Sequence, residues 1–369
     1  MAEKTAYIGL GSNLGDRKAN IDGAIKMLAD VERVELGRVS DIIETAPLAQ
    51  SDQPEYLNAA AELKTSLSAE DLHRTLVNIE TTLGRVRRGK WSSRIIDLDL
   101  LLFGSDIVNR PDLTIPHSQM HLRSFVLKGL CQLNGDLVHP VMKTPVRELA
   151  ERLNGRDFAP DPDLPQLVSV AGIIGVGKTT LTKELAGRLG CDVRLEPYDT
   201  NPFLPDVYAG RKELALDSQL YFLTSRAVQL DPDLLAQGRL CISDYVFDKE
   251  LIYARCLLDA QQLALYEHIY PPFAARVASP VLVIYMQDSA QNCLERIHRR
   301  NRPYEQRIEL RFLEALGSDY ERLFANWKAC PVIRVSTCEA AAVDHLAHQV
   351  KYYTAGHFVV ASGAERSKM

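Results

Sequence analysis

The sequence predicts two unlike domains in one chain: an α+β domain with a mostly antiparallel sheet over residues 1–155, then an α/β domain with a parallel sheet over residues 167–355. Three observations predict this. In the first part the segments run strand, helix, two strands, helix, strand. In the second, short apolar runs alternate with long helical stretches, as in a sheet buried on both faces. Between them, residues 154–166 set Pro160, Pro162 and Pro165 among acidic residues, where fixed φ and the extended bias of pre-proline residues forbid a continuing helix. Residues 156–166 are therefore the linker. Residues 356–369, small and polar apart from two valines, form a loose tail.

Taken in order, residues 5–10 alternate as a strand and residues 17–28 as a helix. Ser68 opens a second helix, with Asp71 three residues on to complete a capping box. Residues 95–103, RIIDLDLLLF after its arginine, form an apolar strand. Past the linker, strands fall at residues 168–171, 240–243, 281–286 and 332–335.

Composition excludes several classes. The 369 residues are 46% hydrophobic and 25% charged, which fits two globular domains, with three possible. The net charge of −5 divides as −2 for residues 1–155 and −3 for the remainder, so neither part carries the positive excess that nucleic-acid binding needs. No apolar run approaches the roughly 18 residues of a membrane span, and the first residues lack a secretion-type pattern. Seven scattered cysteines without a Cys-x-x-Cys pair read as reduced thiols of a cytoplasmic protein.

Asp97 and Asp99 lie two residues apart on a strand, so both carboxylates project to one side and Leu98 and Leu100 to the other. Like charges so close call for a cation, and Mg²⁺ commonly uses one or two carboxylates plus substrate phosphates. Upstream, residues 85–94 hold five basic residues and Trp91 in ten positions. A polyphosphate held between Mg²⁺ and arginines suits that juxtaposition.

The ordered set GLGSNLGDR, TAPLAQSDQPEYLNAA, KWSSRIIDLDLLLF and IPHSQMHLRSF closely resembles the 6-hydroxymethyl-7,8-dihydropterin pyrophosphokinases over about residues 5–155. The resemblance implies a ferredoxin-like fold and a step of folate biosynthesis: ATP gives its β,γ-pyrophosphoryl group to the pterin hydroxymethyl group and releases AMP. It implies that Asp97 and Asp99 hold two Mg²⁺ ions, that Glu80, Arg85, Arg94, His117 and Arg123 lie near the nucleotide, and that Thr45, Leu48, Tyr56, Asn58, Trp91 and Phe125 line the pterin pocket. A flat heteroaromatic ring stacks between Tyr56 and Phe125, while Asn58 offers donor and acceptor together. Asp112 departs from the family, many of whose members carry a basic residue there.

Residues 172–179, GIIGVGKT, match G-x-x-x-x-G-K-[ST], a pattern met by chance in roughly one chain of this length in a hundred. LVSVA before it and KTTLTKELAGRL after it supply strand and helix, so Gly172, Gly175, Gly177 and Thr180 belong to a phosphate cradle. Lys178 reaches the outer phosphates and Thr179 ligates Mg²⁺. Glu196 and Asp244 stand at the carboxyl ends of strands, where α/β sites gather, and Asp244 can serve near Mg²⁺. Arg296, Arg299, Arg300, Arg302 and Arg307 crowd one segment able to neutralise the charge of phosphoryl transfer.

AGIIGVGKTTL, LEPYDTNPFLPDVYAG, SQLYFLTSR, SDYVFDK and RIHRRNRPYE resemble the deoxynucleoside kinase family over about residues 166–353, the bacterial deoxyadenosine/deoxyguanosine type being nearest. The resemblance implies a P-loop kinase fold, with Glu196 as general base for the sugar 5′-hydroxyl, Gln219 on the base and Tyr208 and Glu305 on the 3′-hydroxyl. It also implies Arg226 near the site, Arg296, Arg299, Arg300 and Arg302 as a lid, and a homodimer through this half. One departure matters: where the family commonly has Glu/Asp-Arg-Ser, this chain has Asp244-Tyr245-Val246, and Lys249 is the nearby residue that can supply positive charge. Three readings of the second half follow: a deoxynucleoside kinase, a kinase for another small acceptor, or a regulatory or dimerising nucleotide-binding module without turnover.

Overall fold

A computed structural model describes residues 2–48, 53–86, 93–336 and 342–354. The expected tail, residues 356–369, lies outside them. The chain divides into two compact units that meet between Ala159 and Pro160.

In the first unit the elements are β1 (Lys4–Ser12), α1 (Arg17–Ala29), β2 (Val34–Val39), β3 (Ile43–Thr45), β4 (Tyr56–Thr65), α2 (Ala69–Thr82), β5 (Asp97–Phe103), β6 (Val108–Asn109), β7 (Thr114–Ile115), α3 (Ser124–Asn134) and α4 (Val146–Leu153). The main sheet runs β2-β4-β1-β5 with β3 added to β4, and β1 pairs antiparallel with both its neighbours. This βαββαβ order with β1 and β4 central is the ferredoxin-like arrangement. Helices α1 and α2 close one face through Ile21, Leu28, Leu72 and Leu76, all fully buried against Ile8, Leu10 and Leu63. Hydrogen bonding begins at Asp97, two residues later than residue 95, where apolar character starts. The expected capping box forms by half: the Ser68 hydroxyl accepts from the Asp71 amide at 3.1 Å, but Asp71 turns its carboxylate to that same hydroxyl at 2.8 Å rather than to the Ser68 backbone.

The linker is not uniformly loose. The Asp157 carboxylate accepts from the Ser124 hydroxyl at 2.8 Å, and the Phe158 amide donates to the Leu122 carbonyl at 2.9 Å, so its first residues cap α3 in the first unit. Gln166, counted with the linker by composition, opens the first strand of the second unit.

There the elements are β8 (Gln166–Ala171), α5 (Lys178–Leu189), β9 (Asp192–Arg194), α6 (Leu204–Tyr208), α7 (Ala215–Gln229), β10 (Leu240–Ser243), α8 (Lys249–Leu257), α9 (Ala260–Ala274), β11 (Leu282–Gln287), α10 (Ala290–Arg300), α11 (Leu310–Ala325), β12 (Val332–Ser336) and α12 (Val343–Tyr353). The five strands are parallel in the order β12-β11-β8-β10-β9. Every residue of β8 is buried, as a central strand with helices on both faces requires. The chain reverses direction across β8 and β10, and ligands of open α/β sheets bind beyond the carboxyl ends of strands at such a point. Among the described residues, six cysteines are free thiols and no helix is long and apolar enough to cross a membrane.

Candidate functional sites

In the first unit, the pairing of β1 with β5 sets Gly9 opposite Asp99 and Gly11 opposite Asp97. Glycines leave the sheet face open in front of the two carboxylates. A Cβ on Gly11 would stand 3.2 Å from Asn58 Oδ1. A cavity forms there, lined by Thr45, Leu48, Tyr56, Asn58 and Phe125 together with Arg94, Asp97, Asp99, His117 and Arg123. Asn58 Nδ2 donates to Thr45 Oγ1 at 2.8 Å, which orients the amide. Trp91 lies outside the described residues.

The two aspartates differ in surroundings. Asp97 takes Arg85 on one oxygen and Arg94 on the other, both at 2.5 Å. Asp99 has Arg123 at 3.8 Å and His117 at 4.0 Å, beyond direct hydrogen bonding. Burial, together with the charge of Asp99, pushes the Asp97 carboxyl up, while burial holds the His117 imidazole below its ordinary value. Glu80 stands apart from the cavity lining. It is 3% exposed behind β5, accepts from the Leu98 amide at 2.8 Å and pairs with Arg85. Burial raises its carboxyl to about 7. It is tied to Asp97 through Arg85, which pairs with both carboxylates.

Asn13 was not singled out by spacing, though it sits inside GLGSN. Its Oδ1 accepts from the Arg94 amide at 2.7 Å and its Nδ2 donates to the Pro54 carbonyl at 3.4 Å, tying the approach to β5 to the segment before β4. An asparagine buried directly after an apolar strand is the signal that could have found it.

In the second unit, Gly172, Gly175 and Gly177 all take positive φ (+142°, +84°, +106°), and the loop they form runs into α5. Lys178 Nζ folds back onto the Gly172 and Ile173 carbonyls, each at 2.9 Å, and burial lowers its pKa. Thr179 Oγ1 donates to Asp244 Oδ2 at 2.6 Å, and Asp244 Oδ1 accepts from the Glu196 amide at 2.7 Å. A cavity here is lined by Gly175, Gly177, Lys178, Thr179, Thr180, Glu196, Tyr208, Gln219, Asp244, Arg300, Arg302 and Glu305.

Glu196 Oε1 is held by Lys249 Nζ at 2.6 Å and by Arg226, whose other arm pairs with Glu250, itself bonded by the Tyr266 hydroxyl. Burial alone would raise the Glu196 carboxyl; Lys249 and Arg226 override it and hold the group well below the usual carboxylate range. Burial lowers Lys249 to about 8, and the Tyr208 phenol is pushed up, chiefly by burial and then by Glu196. Gln219 is 2% exposed, and its Oε1 has no hydrogen-bond partner among the described residues.

The structure separates the four expected lid arginines. Arg300 and Arg302 line the cavity and bond Glu305, at 2.6 and 3.4 Å. Arg296 donates to the Gly175 carbonyl at 3.1 Å and pairs with Asp288, so it braces the loop from behind. Arg299 is exposed and does not join the cavity, because one helical turn of α10 cannot aim all its arginines the same way. Tyr198, Phe222 and Tyr253 also line this cavity without having been singled out; Tyr198 stacks under the Arg302 guanidinium at 4.0 Å, inside the EPYDT segment already quoted.

Both sites offer hard oxygen donors: Asp97 and Asp99 in the first, Thr179 and Asp244 in the second. Among the described residues no group of three or more His, Cys, Asp or Glu is placed to hold a metal.

Residues 7–135 match the family model described as 7,8-dihydro-6-hydroxymethylpterin-pyrophosphokinase, and residues 168–351 match that for deoxynucleoside kinase. A 2-amino-4-hydroxy-6-hydroxymethyldihydropteridine pyrophosphokinase of Haemophilus influenzae is 42% identical over 136 residues, 37% of this chain and 85% of that protein. Its Bacillus subtilis counterpart is 41% identical over 128 residues, 35% of this chain and 77% of that protein. The folic acid synthesis protein fol1 of Schizosaccharomyces pombe is 37% identical over 150 residues, 41% of this chain but 20% of that longer protein. Among solved structures, a deoxyadenosine kinase from M. mycoides with products dCMP and a flexible dCDP bound is 25% identical, with a TM-score of 0.44, over 49% of this chain and 95% of that one.

Proposed function

The chain belongs to the 7,8-dihydro-6-hydroxymethylpterin-pyrophosphokinase family through residues 7–135 and carries a deoxynucleoside kinase domain at residues 168–351, and from that premise we propose a bifunctional ATP-dependent transferase. The first unit transfers the β,γ-pyrophosphoryl group of ATP to the hydroxymethyl group of 6-hydroxymethyl-7,8-dihydropterin, a step of folate synthesis. The second phosphorylates the 5′-hydroxyl of a deoxynucleoside.

One observation supports the first reading above others: a single cavity lined both by aromatic and amide side chains and by two carboxylates with arginines. Phe125 and Tyr56 stack the pterin, and the Asn58 amide, held by Thr45, reads its edge. Arg94 and Arg123 face the phosphates, with Arg85 behind Asp97. Asp97 and Asp99 would hold Mg²⁺, which would supply positive charge to offset that of the triphosphate. The substrate hydroxyl oxygen loses its proton to water and bonds to the β-phosphorus as the bond from that phosphorus to the α-phosphate oxygen breaks, and AMP leaves.

In the second unit, the glycine loop and α5 bind the phosphates, with Thr179 and Asp244 toward Mg²⁺. Glu196 takes the 5′-hydroxyl proton, Gln219 bonds the base with its unpartnered Oε1, and Tyr208 and Glu305 hold the 3′-hydroxyl. Arg300 and Arg302 neutralise the transferring phosphoryl group. Tyr245, where an arginine is common in the family, favours a second reading of this half as a nucleotide-binding module without turnover.

The test is one incubation series with ATP and Mg²⁺: the hydroxymethyldihydropterin, then a panel of deoxynucleosides and monophosphates, with AMP and ADP separated by chromatography. AMP release with the pterin and ADP release with a deoxynucleoside are expected. ATP left intact by the whole panel, beside an active pterin reaction, establishes the module without turnover.

A further inference from the structure

We propose that Lys249 is the positioning residue of the second site: with Arg226 it anchors Oε1 of Glu196 and thereby dedicates Oε2 to the acceptor hydroxyl. The assignment rests on the kinase reading given above.

The position after Asp244 is occupied by Tyr245, fully buried, whose hydroxyl donates to Gln229 Oε1 at 2.6 Å. It brings no charge to the site. Five residues beyond Asp244, the chain buries a lysine instead. Lys249 is 1% exposed and is the first residue of α8, the end of a helix that disfavours a cation. Burying an ammonium in such a place is costly unless an anion meets it. The anion is Glu196 Oε1, 2.6 Å away.

Arg226 cannot balance Glu196 alone. Its guanidinium also pairs with Glu250, which is fully buried, so Arg226 and Glu250 already cancel. Lys249 supplies the fourth charge and makes the row Glu250, Arg226, Glu196, Lys249 neutral and alternating.

The geometry of the contact gives this neutrality a chemical use. Both cations reach the same oxygen, Oε1. Oε2 accepts no hydrogen bond from a described residue, and Glu196 lines the cavity. The Glu196 amide is fixed by Asp244, which also holds Thr179 beside the glycine loop. One end of the carboxylate is thus tied down, and the other is left without a described partner on a side chain that lines the cavity. In the reaction, the acceptor oxygen bonds to the γ-phosphorus, its proton passes to Oε2, and the bond to the β-phosphate oxygen breaks to release ADP. Without Lys249 the carboxylate is free to swing about Arg226, and the accepting oxygen is no longer held within hydrogen-bond reach of the hydroxyl.

The experiment compares wild type with Lys249→Met, Lys249→Arg and Lys249→Ala in the full chain, under saturating Mg·ATP, on the deoxynucleoside that wild type turns over best. Lys249→Met is expected to lower kcat by about 10²-fold while KM for ATP stays within a few-fold. Lys249→Arg is expected to recover part of kcat, and added ethylammonium to restore Lys249→Ala in a saturable, dose-dependent way. Should Lys249→Met melt early, the amine series on Lys249→Ala decides: recovery supports the assignment and its absence overturns it. Near-normal kcat in Lys249→Met with an active wild type overturns the role of Lys249 alone. A wild type that phosphorylates no member of the panel, beside normal pterin turnover, refutes the kinase reading and the assignment with it.

Discussion

Replacing Gly175 by alanine tests whether the glycine loop is built for phosphates by its backbone. The pattern G-x-x-x-x-G-K-[ST] leaves position 175 open, but the fold does not. Gly175 has φ +84°, and a Cβ there would lie 2.5 Å from the Cys293 carbonyl oxygen and 2.9 Å from Ile297 Cγ1. The left-handed backbone costs an alanine about 1–2 kcal/mol. Ordinary contact begins at 3.4 Å, so that carbonyl must retreat by 0.9 Å (3.4 − 2.5), and it is backbone of α10 rather than the far end of a flexible side chain. Forcing such a shift costs roughly 1–3 kcal/mol, which brings the total to about 2–5 kcal/mol. The Gly175 carbonyl also takes Arg296 at 3.1 Å, so the brace behind the loop moves too. If the loop escapes by distorting, at about 1.4 kcal/mol per tenfold the affinity for ATP falls at least tenfold. The assay is KM for ATP in deoxynucleoside phosphorylation by the full chain, with KM for ATP in the pterin reaction as the internal control. An unchanged pair of KM values together with an unchanged melting temperature refutes the reasoning.

Three more outcomes are expected. Asp97→Ala should abolish AMP release with the pterin and leave deoxynucleoside phosphorylation intact in the same preparation; loss of both would show the units are not independent. Glu196→Gln should keep ATP binding yet lose at least 10²-fold in phosphorylation, because the amide cannot take the proton, and near-normal turnover would remove Glu196 from the chemistry. Burial raises Glu80 from 4.5 to about 7, so between those values the folded chain holds a proton that the unfolded chain has lost, and stability falls as pH rises through that window. The gap corresponds to about 3 kcal/mol. In thermal melts of the full chain at pH 5 and pH 8, Glu80→Gln should gain on wild type at the higher pH; a pH-independent difference would show that burial of the charge is not the cause.

The sequence by itself determined most of the fold and named most of the residues that the two cavities gather, because the signals are local. Period-two alternation puts Asp97 and Asp99 on one face of β5, and glycine spacing bends a loop onto α5. Short apolar runs such as residues 168–171, alternating with long helical stretches, announce the parallel sheet. The ends of elements were less legible, since β5 starts where a hydrogen-bond partner begins rather than where apolar residues do. What tertiary structure alone decided is which charges meet. Glu80 reads as one more acid near the nucleotide, yet it is buried on the β5 backbone outside the cavity lining and shares Arg85 with Asp97. Four arginines between positions 296 and 302 look alike as a run, but the turn of α10 sends Arg296 to the loop backbone, Arg299 to the surface and Arg300 to the cavity, while Arg302, past the left-handed Asn301 that ends the helix, reaches the cavity from the segment beyond it. Lys249 is 53 residues from Glu196 in the chain, and no spacing rule connects them. Their contact arises because β9 and β10 are parallel neighbours, so the residues that follow their carboxyl ends come together, and the electrostatics of a buried site depend on that distance and not on order along the polypeptide.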